Sequence, residues 1–335
     1  MLLLPELSIF FYAVMCLFFS ISRKKSGITP LAMLMSLAVF ILTVVSFGSN
    51  GEIFSGAYKI DQFSQTFKII ISFGLCIVVL MIGKNKEIDD EYLPEYFMFL
   101  GLSTLGLMML ISSAELISIV ISLEISSYSL YAIVPLRKSQ TRIQLEASFK
   151  YLFFGAISSG IMIFGMSYIY GIAHSTFLVD IIPALVQFLD KPIGILAIVL
   201  TLTGFFFKLS LFPFHFWAPD IYEGASNNTT TFIATIPKIA AAALLIRIST
   251  LALPGPVQLV NIMMVLAAFS MTIGNLVGLV QKDIKRLLAY SGIAHAGYLM
   301  LGILSMNKEG FASSMFYITI YLFMNLACFY VIVLI

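Results

Sequence analysis

The feature that most constrains this chain is a series of long, almost uncharged apolar stretches that recur along its whole length. A helix needs about 20 apolar residues to cross the hydrocarbon core of a bilayer. Eleven such stretches are found, at residues 3–21, 30–48, 66–82, 96–113, 115–135, 148–171, 193–212, 229–250, 259–280, 287–305 and 311–335. They lack the alternation of a barrel strand, so helices are the regular structure that satisfies their backbone in lipid. The sequence therefore predicts an all-α polytopic membrane protein with about 11 transmembrane helices.

The composition excludes the common soluble classes. Of the 335 residues, 60% are hydrophobic and 11% are charged, whereas soluble domains contain about 25% charged residues. A cytosolic enzyme, a nucleic-acid-binding domain and a disordered chain are all inconsistent with these values. The net charge of +2 gives no field that would attract nucleic acid. The 3 histidines are too scattered for a metal site, and no glycine-rich phosphate loop is present.

The distribution of basic residues predicts which way the chain crosses the membrane. With the N-terminus outside, eleven lysines and arginines fall on the inner side and five on the outer side. This excess agrees with the positive-inside rule. The inner set is Arg23, Lys24, Lys25, Lys84, Lys86, Arg137, Lys138, Arg142, Lys282, Lys285 and Arg286. The outer set is Lys59, Lys68, Lys191, Arg247 and Lys308.

Four ionisable side chains lie near the middle of predicted spans, where a charge costs about 2.5–3.5 kcal/mol. They are Glu124 in the fifth span, Lys208 in the seventh, Lys238 in the eighth and His295 in the tenth. Four titratable groups at one depth exceed what helix adhesion requires, so we predict a polar layer along the membrane midplane. Lys150 is a weaker candidate at the start of the sixth span. It follows Glu146 by four residues, and an interfacial ion pair accounts for it.

Each of these residues also has a simpler interpretation that the residue types leave open. Glu124 and Lys208 would serve equally as an ion pair that holds helices together. Lys238 follows Pro237, which frees a backbone carbonyl that the ammonium is able to satisfy. His295 would be compatible with a neutral, hydrogen-bonded core histidine.

The seventh span contains a predicted break. Pro213 and Pro219 bracket the run FPFHFWAPD, which cannot continue as a regular helix. Broken helices at membrane depth occur where they line a cavity or are buried in protein. We expect His215 to form a local hydrogen bond that stabilises the break, and Trp217 to act as an interface anchor.

Three motifs carry a resemblance to a known family. They are FKLSLFPFHFWAPDIYEGA (Phe207 to Ala225), QKDIKRLLAYSGIAHAGY (Gln281 to Tyr298) and LEASFKY around Lys150. Together they resemble the proton-conducting, antiporter-like membrane subunits of respiratory complex I, which have relatives in multi-subunit sodium/proton antiporters. Tyr222 and Glu223 stand where two of the three sister subunits usually have a histidine, so the sequence is most similar to the subunit N branch.

The resemblance implies a fold of two inverted five-helix repeats, each with one broken helix, in a chain that usually has fourteen helices. It divides this sequence into an N-terminal three-helix segment at 1–94, a first repeat at 95–250 and an incomplete second repeat at 251–335. The sequence ends at Ile335 inside an apolar run. We therefore expect a fragment without helices 12–14 rather than a naturally shortened subunit, because an incomplete repeat would leave its packing surface unpaired.

The resemblance also implies roles for residues. Proton transfer would fall to Glu124, Lys208, Lys238, His295 and Lys150, with Glu124 tuning the charge of Lys208. The chain would be a translocating subunit of NADH:quinone oxidoreductase without redox chemistry of its own. It would lie in a bacterial plasma membrane or an organelle inner membrane.

The implied partners are lipid and the other membrane-arm subunits, including neighbouring antiporter-like subunits. We expect no cofactor or metal on this chain, while NADH or another donor, FMN, iron–sulfur clusters and quinone belong to partner subunits. Two alternatives stay open: a subunit of a sodium/proton antiporter, and a non-conducting scaffold of helices.

Overall fold

A computed structural model of the protein describes residues 1–22, 27–82, 87–138, 142–189, 191–252 and 257–334. Its helices are α1 (Leu4–Ile21), α2 (Ile28–Val45), α3 (Gln62–Ile82), α4 (Leu93–Ser112), α5 (Leu116–Ile133), α6 (Arg142–Ala173), α7 (Leu178–Val186), α8 (Pro192–Leu209), α9 (Trp217–Gly224), α10 (Asn227–Leu251), α11 (Val257–Gly278), α12 (Ile284–Leu304) and α13 (Lys308–Leu334). Two short strands, β1 (Gly51–Ile53) and β2 (Tyr58–Ile60), pair antiparallel between α2 and α3.

The prediction of an all-helical membrane protein is confirmed. In the part of the chain that the structure describes, 11 helices are long and apolar enough to span a membrane, and α7 and α9 are the two that are too short. Each spanning helix coincides with one predicted stretch. The largest difference is at α6, which begins at Arg142 rather than at residue 148. The charged and polar residues of its first turn are compatible with a helix that continues beyond the apolar core, which hydropathy alone does not detect.

The hairpin marks one end of the helix bundle. Ala114, after α4, donates its backbone N–H to Ala57 at 2.9 Å, and Glu115 forms a bridge with Phe177, which precedes α7. The chain ends of α2, α4 and α6 therefore meet here. We call this the hairpin end, and the side from which α6 and α10 begin is the opposite end.

Helix α10 is the centre of the bundle. It packs against α3, α4, α8, α12 and α13, and its residues from Asn228 to Arg247 are buried. Its composition suits this position, because a run of alanines at residues 240–243 allows neighbouring helices to approach closely. Helices α1, α2, α6 and α11 instead leave much of their apolar surface exposed, as expected of helices that face lipid or other subunits.

The orientation with the N-terminus outside stays a prediction, because the helix bundle itself does not show which of its ends faces the cytoplasm. Arg23, Lys24, Lys25, Lys84 and Lys86 lie outside the described residues. Lys68, Arg247 and Lys285, which we counted toward the outer and inner sides, are buried within α3, α10 and α12. Each of the three has a partner that offsets its burial: Glu6 for Lys68, Asp61 for Arg247, and the carbonyl of Ala225 for Lys285.

Candidate functional site

The first pair of the predicted polar layer lies between α5 and α8. Glu124 is near the middle of α5, and its Oε1 is buried without a hydrogen-bond partner among the described residues. Lys208 lies in the last turn of α8 and is buried, and its Nζ also has no hydrogen-bond partner in the described chain. The two charges interact electrostatically, although their atoms do not approach to the 4.0 Å of a direct ion pair. They form a coupled pair rather than a closed salt bridge.

The predicted break follows Lys208 directly and is confirmed. Helix α8 ends at Leu209, Ser210 adopts a left-handed conformation with φ of 59°, and α9 begins at Trp217. The fixed φ of Pro213 and its missing N–H explain why the helix does not continue. The backbone N–H of Phe212 donates to the Ser270 hydroxyl of α11 at 2.9 Å, so the break is fixed by a neighbouring helix.

Trp217 and His215 differ from their predicted roles. Trp217 is buried and donates its indole N–H to the carbonyl of Phe207 at 3.0 Å, so it joins the two halves of the broken helix instead of anchoring at an interface. Its ring also stacks on Tyr151 of α6 at 5.0 Å between centroids. His215 is buried against the rings of Phe212 and Phe216, and its Nδ1 has no hydrogen-bond partner among the described residues. Packing of rings, and not a local hydrogen bond, holds this histidine.

Lys238 occupies a buried space between α9, α10, α12 and α13. Only 1% of its surface is exposed, and no Asp or Glu of the described ranges lies within 4.0 Å of its Nζ. A Cβ built on Gly292 of α12 would lie 3.0 Å from that Nζ and 3.1 Å from the Tyr321 hydroxyl. The ring centroid of Tyr222 is 6.0 Å from the Nζ. Lys238 is thus surrounded by hydroxyl groups and a glycine, without a negative charge to neutralise it.

His295 extends the layer from α12 to α13. It lies three residues after Gly292, on the same face of α12. Its Nδ1 is 2.5 Å from the hydroxyl of Tyr317 on α13, and its ring is close enough to Lys238 for the two to interact electrostatically. The structure therefore brings Lys238 and His295 together through α12, as it brings Glu124 and Lys208 together beside the break.

Lys150 lies apart from this layer, at the opposite end of the bundle. Its Nζ is 2.6 Å from Asp220 and 2.7 Å from Glu146, which supports the interfacial ion pair that we expected. Arg286 binds the same Asp220 at 2.7 Å and Glu223 at 2.8 Å, so α6, α9 and α12 are joined by charges. Burial raises the pKa of Asp220, but the hydrogen bonds from Lys150 and Arg286 outweigh it and bring that pKa below its ordinary value.

Sequence reasoning missed three residues of the site. The hydroxyls of Tyr128 and Tyr298 are exposed, and Ser127 donates to the carbonyl of Leu123 within its own helix, so these three do not link the layer. The groups that surround Lys238 are instead Tyr222, Gly292 and Tyr321. Tyr317 and Tyr321 stand four residues apart, on one face of the last span, which is the signal that points to this position.

Comparisons with known proteins place the chain in a family. The sequence model described as NADH:quinone oxidoreductase/Mrp antiporter, TM, matches residues 113–335. The chain belongs to the NADH:quinone oxidoreductase/Mrp antiporter family. It is 45% identical to NADH-quinone oxidoreductase subunit N 2 of Solidesulfovibrio magneticus, over 98% of this chain and 70% of the relative. A relative of the same name from Opitutus terrae is also 45% identical, over 90% of this chain and 64% of its own length.

Solved structures with a similar fold agree with this assignment. A chain of respiratory complex I from Thermus thermophilus has a TM-score of 0.81 and 28% identity, and the match covers 97% of this chain and 69% of that one. A chain of the Mrp complex from Dietzia has a TM-score of 0.84 at 17% identity, over 98% of this chain and 64% of that one, and shows the shared fold. This NADH:quinone oxidoreductase/Mrp antiporter family member is thus an integral, multi-pass membrane protein, and it spans about two thirds of the length of its relatives.

Proposed function

We propose that this chain is part of a membrane-arm subunit of a proton-pumping NADH:quinone oxidoreductase, and that its buried polar layer carries protons. The names of its relatives support the complex. The proposal of a proton path rests on one observation. Lys238 is buried at the centre of the bundle, among hydroxyls, with no carboxylate of the described chain near its Nζ. A lysine that only held helices together would be expected to have a counter-ion.

The two lysines have opposite electrostatic surroundings. Desolvation disfavours the charged form of a buried amine, whereas a nearby carboxylate favours it. Lys208 has Glu124 as such a carboxylate, and Lys238 has none in the described chain. A proton would therefore rest on Lys208 and pass through Lys238 only transiently. Any movement of Glu124, or a charge arriving from a neighbouring subunit, would load or release Lys208.

The required energy is within the range of such changes. A proton driven against about 150 mV needs about 3.5 kcal/mol, which corresponds to a change of about 2.5 in the pKa of the carrier. Buried lysines shift by up to about 3–5 in pKa. Loading and release at Lys208 are thus sufficient in size to move a proton against the membrane potential.

The two remaining predicted residues, His295 and Lys150, would act at the two ends of this path. His295, bonded to Tyr317, would pass protons beyond Lys238 toward α13. Lys150, partly exposed at the opposite end, would take protons from the inner aqueous phase. Quinone reduction by NADH or another donor, with FMN and iron–sulfur clusters, would take place on partner subunits. The complex would lie in a bacterial plasma membrane, with the N-terminus of this chain outside.

The test uses inverted membrane vesicles that contain the assembled complex. We expect Lys208→Met to lower both proton uptake and quinone reduction, measured in one sample and divided by the amount of assembled complex. Lys191→Met, which removes an exposed lysine before α8, is the matched control and should leave both unchanged. Wild-type values of both activities with Lys208→Met would overturn the proposal. Full pumping that requires Na⁺ in the medium would instead favour a sodium/proton antiporter subunit.

A further inference from the structure

A second cluster of buried titratable groups lies at the hairpin end, separate from the polar layer. Lys68 of α3 is fully buried, and its Nζ is 2.6 Å from Oε1 of Glu6 on α1. The hydroxyl of Tyr58, on β2, donates to the same oxygen at 2.5 Å. We call Glu6, Tyr58 and Lys68 the hairpin-end cluster. It joins three elements of the N-terminal segment, none of which contributes to the layer around Lys208 and Lys238.

The cluster differs from a fully satisfied structural ion pair. The second carboxylate oxygen of Glu6, Oε2, is buried and has no hydrogen-bond partner in the described chain. Buried ion pairs that serve only stability are expected to have their remaining lone pairs satisfied, because an unpaired buried oxygen costs free energy. Glu6 thus retains a free position for a proton, next to Lys68, a second group that is able to exchange protons.

Tyr58 is held in its protonated form. Burial raises its pKa well above the ordinary value, and the charge of Glu6 raises it further. Its hydroxyl proton therefore stays on the cluster, where it bonds to Glu6. A proton that binds Glu6 neutralises its carboxylate, so Lys68 must release a proton for the buried pair to keep its charge balance.

On one side, charged groups connect the cluster to the surface. Asp61, just before α3, interacts electrostatically with Lys68, as does Arg247 of α10. Asp61 accepts two hydrogen bonds from Arg247, at 2.9 Å and 3.0 Å, and 31% of its side-chain surface is exposed. A carboxylate that is both accessible to water and close to Lys68 offers a place for protons to leave or arrive.

On the other side, serines lead inward between α4 and α5. Ser112 lies beside the Tyr58 hydroxyl. The hydroxyls of Ser113 and Ser122 are 3.4 Å apart, and those of Ser103 and Ser126 are 2.9 Å apart, all of them buried. Ser126 is two residues beyond Glu124 on α5. Buried hydroxyls thus lie along α4 and α5, between the cluster and the middle of α5.

We propose that Glu6, Lys68 and Tyr58 form a proton-exchange site at the hairpin end, between the buried polar layer and the outer aqueous phase. In each step a proton arriving from the serines binds the free oxygen of Glu6 while Lys68 releases a proton toward Asp61, and transfer of the new proton from Glu6 to Lys68 then restores the ion pair. This inference rests on the proposed function, because it adds a route to the outer aqueous phase from the α5 side of the polar layer.

The test measures protons taken up per electron in inverted vesicles that contain the assembled complex with Glu6→Gln, Lys68→Met, or both substitutions. Removal of one charge leaves the other buried and unpaired, so each single variant is expected to assemble poorly whatever the role of the pair. The double variant removes both charges, which restores the charge balance. Lys59→Met, on the same strand as Tyr58 but exposed, is the control.

We expect the double variant to assemble and to lose most of its proton uptake per electron, whereas the control keeps the wild-type ratio. A double variant that assembles with the wild-type ratio would show that the pair is structural and would overturn the proposal. Should the double variant not assemble, Tyr58→Phe decides, since it removes one hydroxyl and keeps the ion pair: a lowered ratio supports the site and a wild-type ratio rejects it.

The midplane variants separate this inference from the proposed function. If Lys208→Met loses pumping while the double variant keeps it, the proposed function stands and only the hairpin-end site is wrong. If Lys208→Met and the double variant both keep wild-type proton uptake and quinone reduction per assembled complex, the proton path itself is refuted.

Discussion

Gly292 and Lys238 approach each other so closely that a methyl group on the glycine would lie 3.0 Å from the lysine Nζ. The contact explains why a glycine stands on a buried face of α12, where alanine would favour the helix by about 1 kcal/mol. The absence of a side chain at this position leaves room for the ammonium and for the Tyr321 hydroxyl beside it. The glycine at this position therefore leaves space for the Lys238 side chain, although it lowers the stability of the helix.

The first prediction follows from this contact. Gly292→Ala should displace the Lys238 ammonium by a few tenths of an ångström and lower proton uptake several-fold, with little loss of assembly. Gly160→Ala is the matched control, because no atom lies within 4 Å of the Cβ position at Gly160 of α6. Proton uptake by inverted vesicles, divided by assembled complex, measures both. Equal uptake by the two variants would show that the space around Lys238 does not matter.

A second prediction concerns the ion pair between Arg247 and Asp61. Burial raises the pKa of Asp61, but the bonds from Arg247 outweigh it, so that pKa lies below its ordinary value. A carboxyl of this kind contributes stability above its ordinary pKa, near 3.9, and loses that contribution as the pH falls through the lowered value. Asp61→Asn should therefore lower the melting temperature of the purified protein at neutral pH.

The pH dependence distinguishes this pair from a simple packing contact. The difference in melting temperature between wild type and Asp61→Asn should persist down to about pH 4 and shrink only at more acidic pH. Glu52→Gln, at the exposed ion pair of the hairpin, should show almost no difference at any pH. A difference for Asp61→Asn that is the same at all pH values would contradict the assignment.

A third prediction compares two carboxylates that bind the same lysine. Asp220 binds both Lys150 and Arg286, whereas Glu146 binds Lys150 from an exposed position, with 57% of its side-chain surface accessible. Asp220→Asn should cost about 1–3 kcal/mol because it leaves two cations with weaker partners. Glu146→Gln should cost less than about 1 kcal/mol. Thermal unfolding of the purified variants measures both, and equal costs would refute a joining role for Asp220.

The sequence was sufficient to predict the spanning helices, since hydropathy acts on each segment alone. It also located the break, because the φ of proline is fixed wherever Pro213 lies in the fold. It did not show the hairpin or α7, whose short runs, such as Tyr58–Ile60, carry little periodic signal. Such elements are held by contacts with distant segments, as with the bridge between Tyr58 and Ser113.

The candidate site was predictable in its charged residues and not in their surroundings. A lysine in an apolar span is conspicuous, so Lys208 and Lys238 stood out. Their neighbours Tyr222 and Tyr321 did not, because tyrosines are common in apolar spans and their position relative to Lys238 depends on how α9 and α13 pack. The buried pair of Glu6 and Lys68 was missed for a different reason. Both residues lie near the ends of predicted spans, where charged side chains are common.

Proton uptake by inverted vesicles with Lys238→Arg, compared with Lys238→Met and wild type, tests the central claim most directly. Arginine keeps the positive charge but does not release its proton in proteins, so it separates a fixed charge from a proton carrier. The account predicts that both variants assemble and that both lose proton uptake and quinone reduction together. Wild-type proton uptake per assembled complex with Lys238→Arg would show that transport does not require release of a proton at position 238, and would contradict the account.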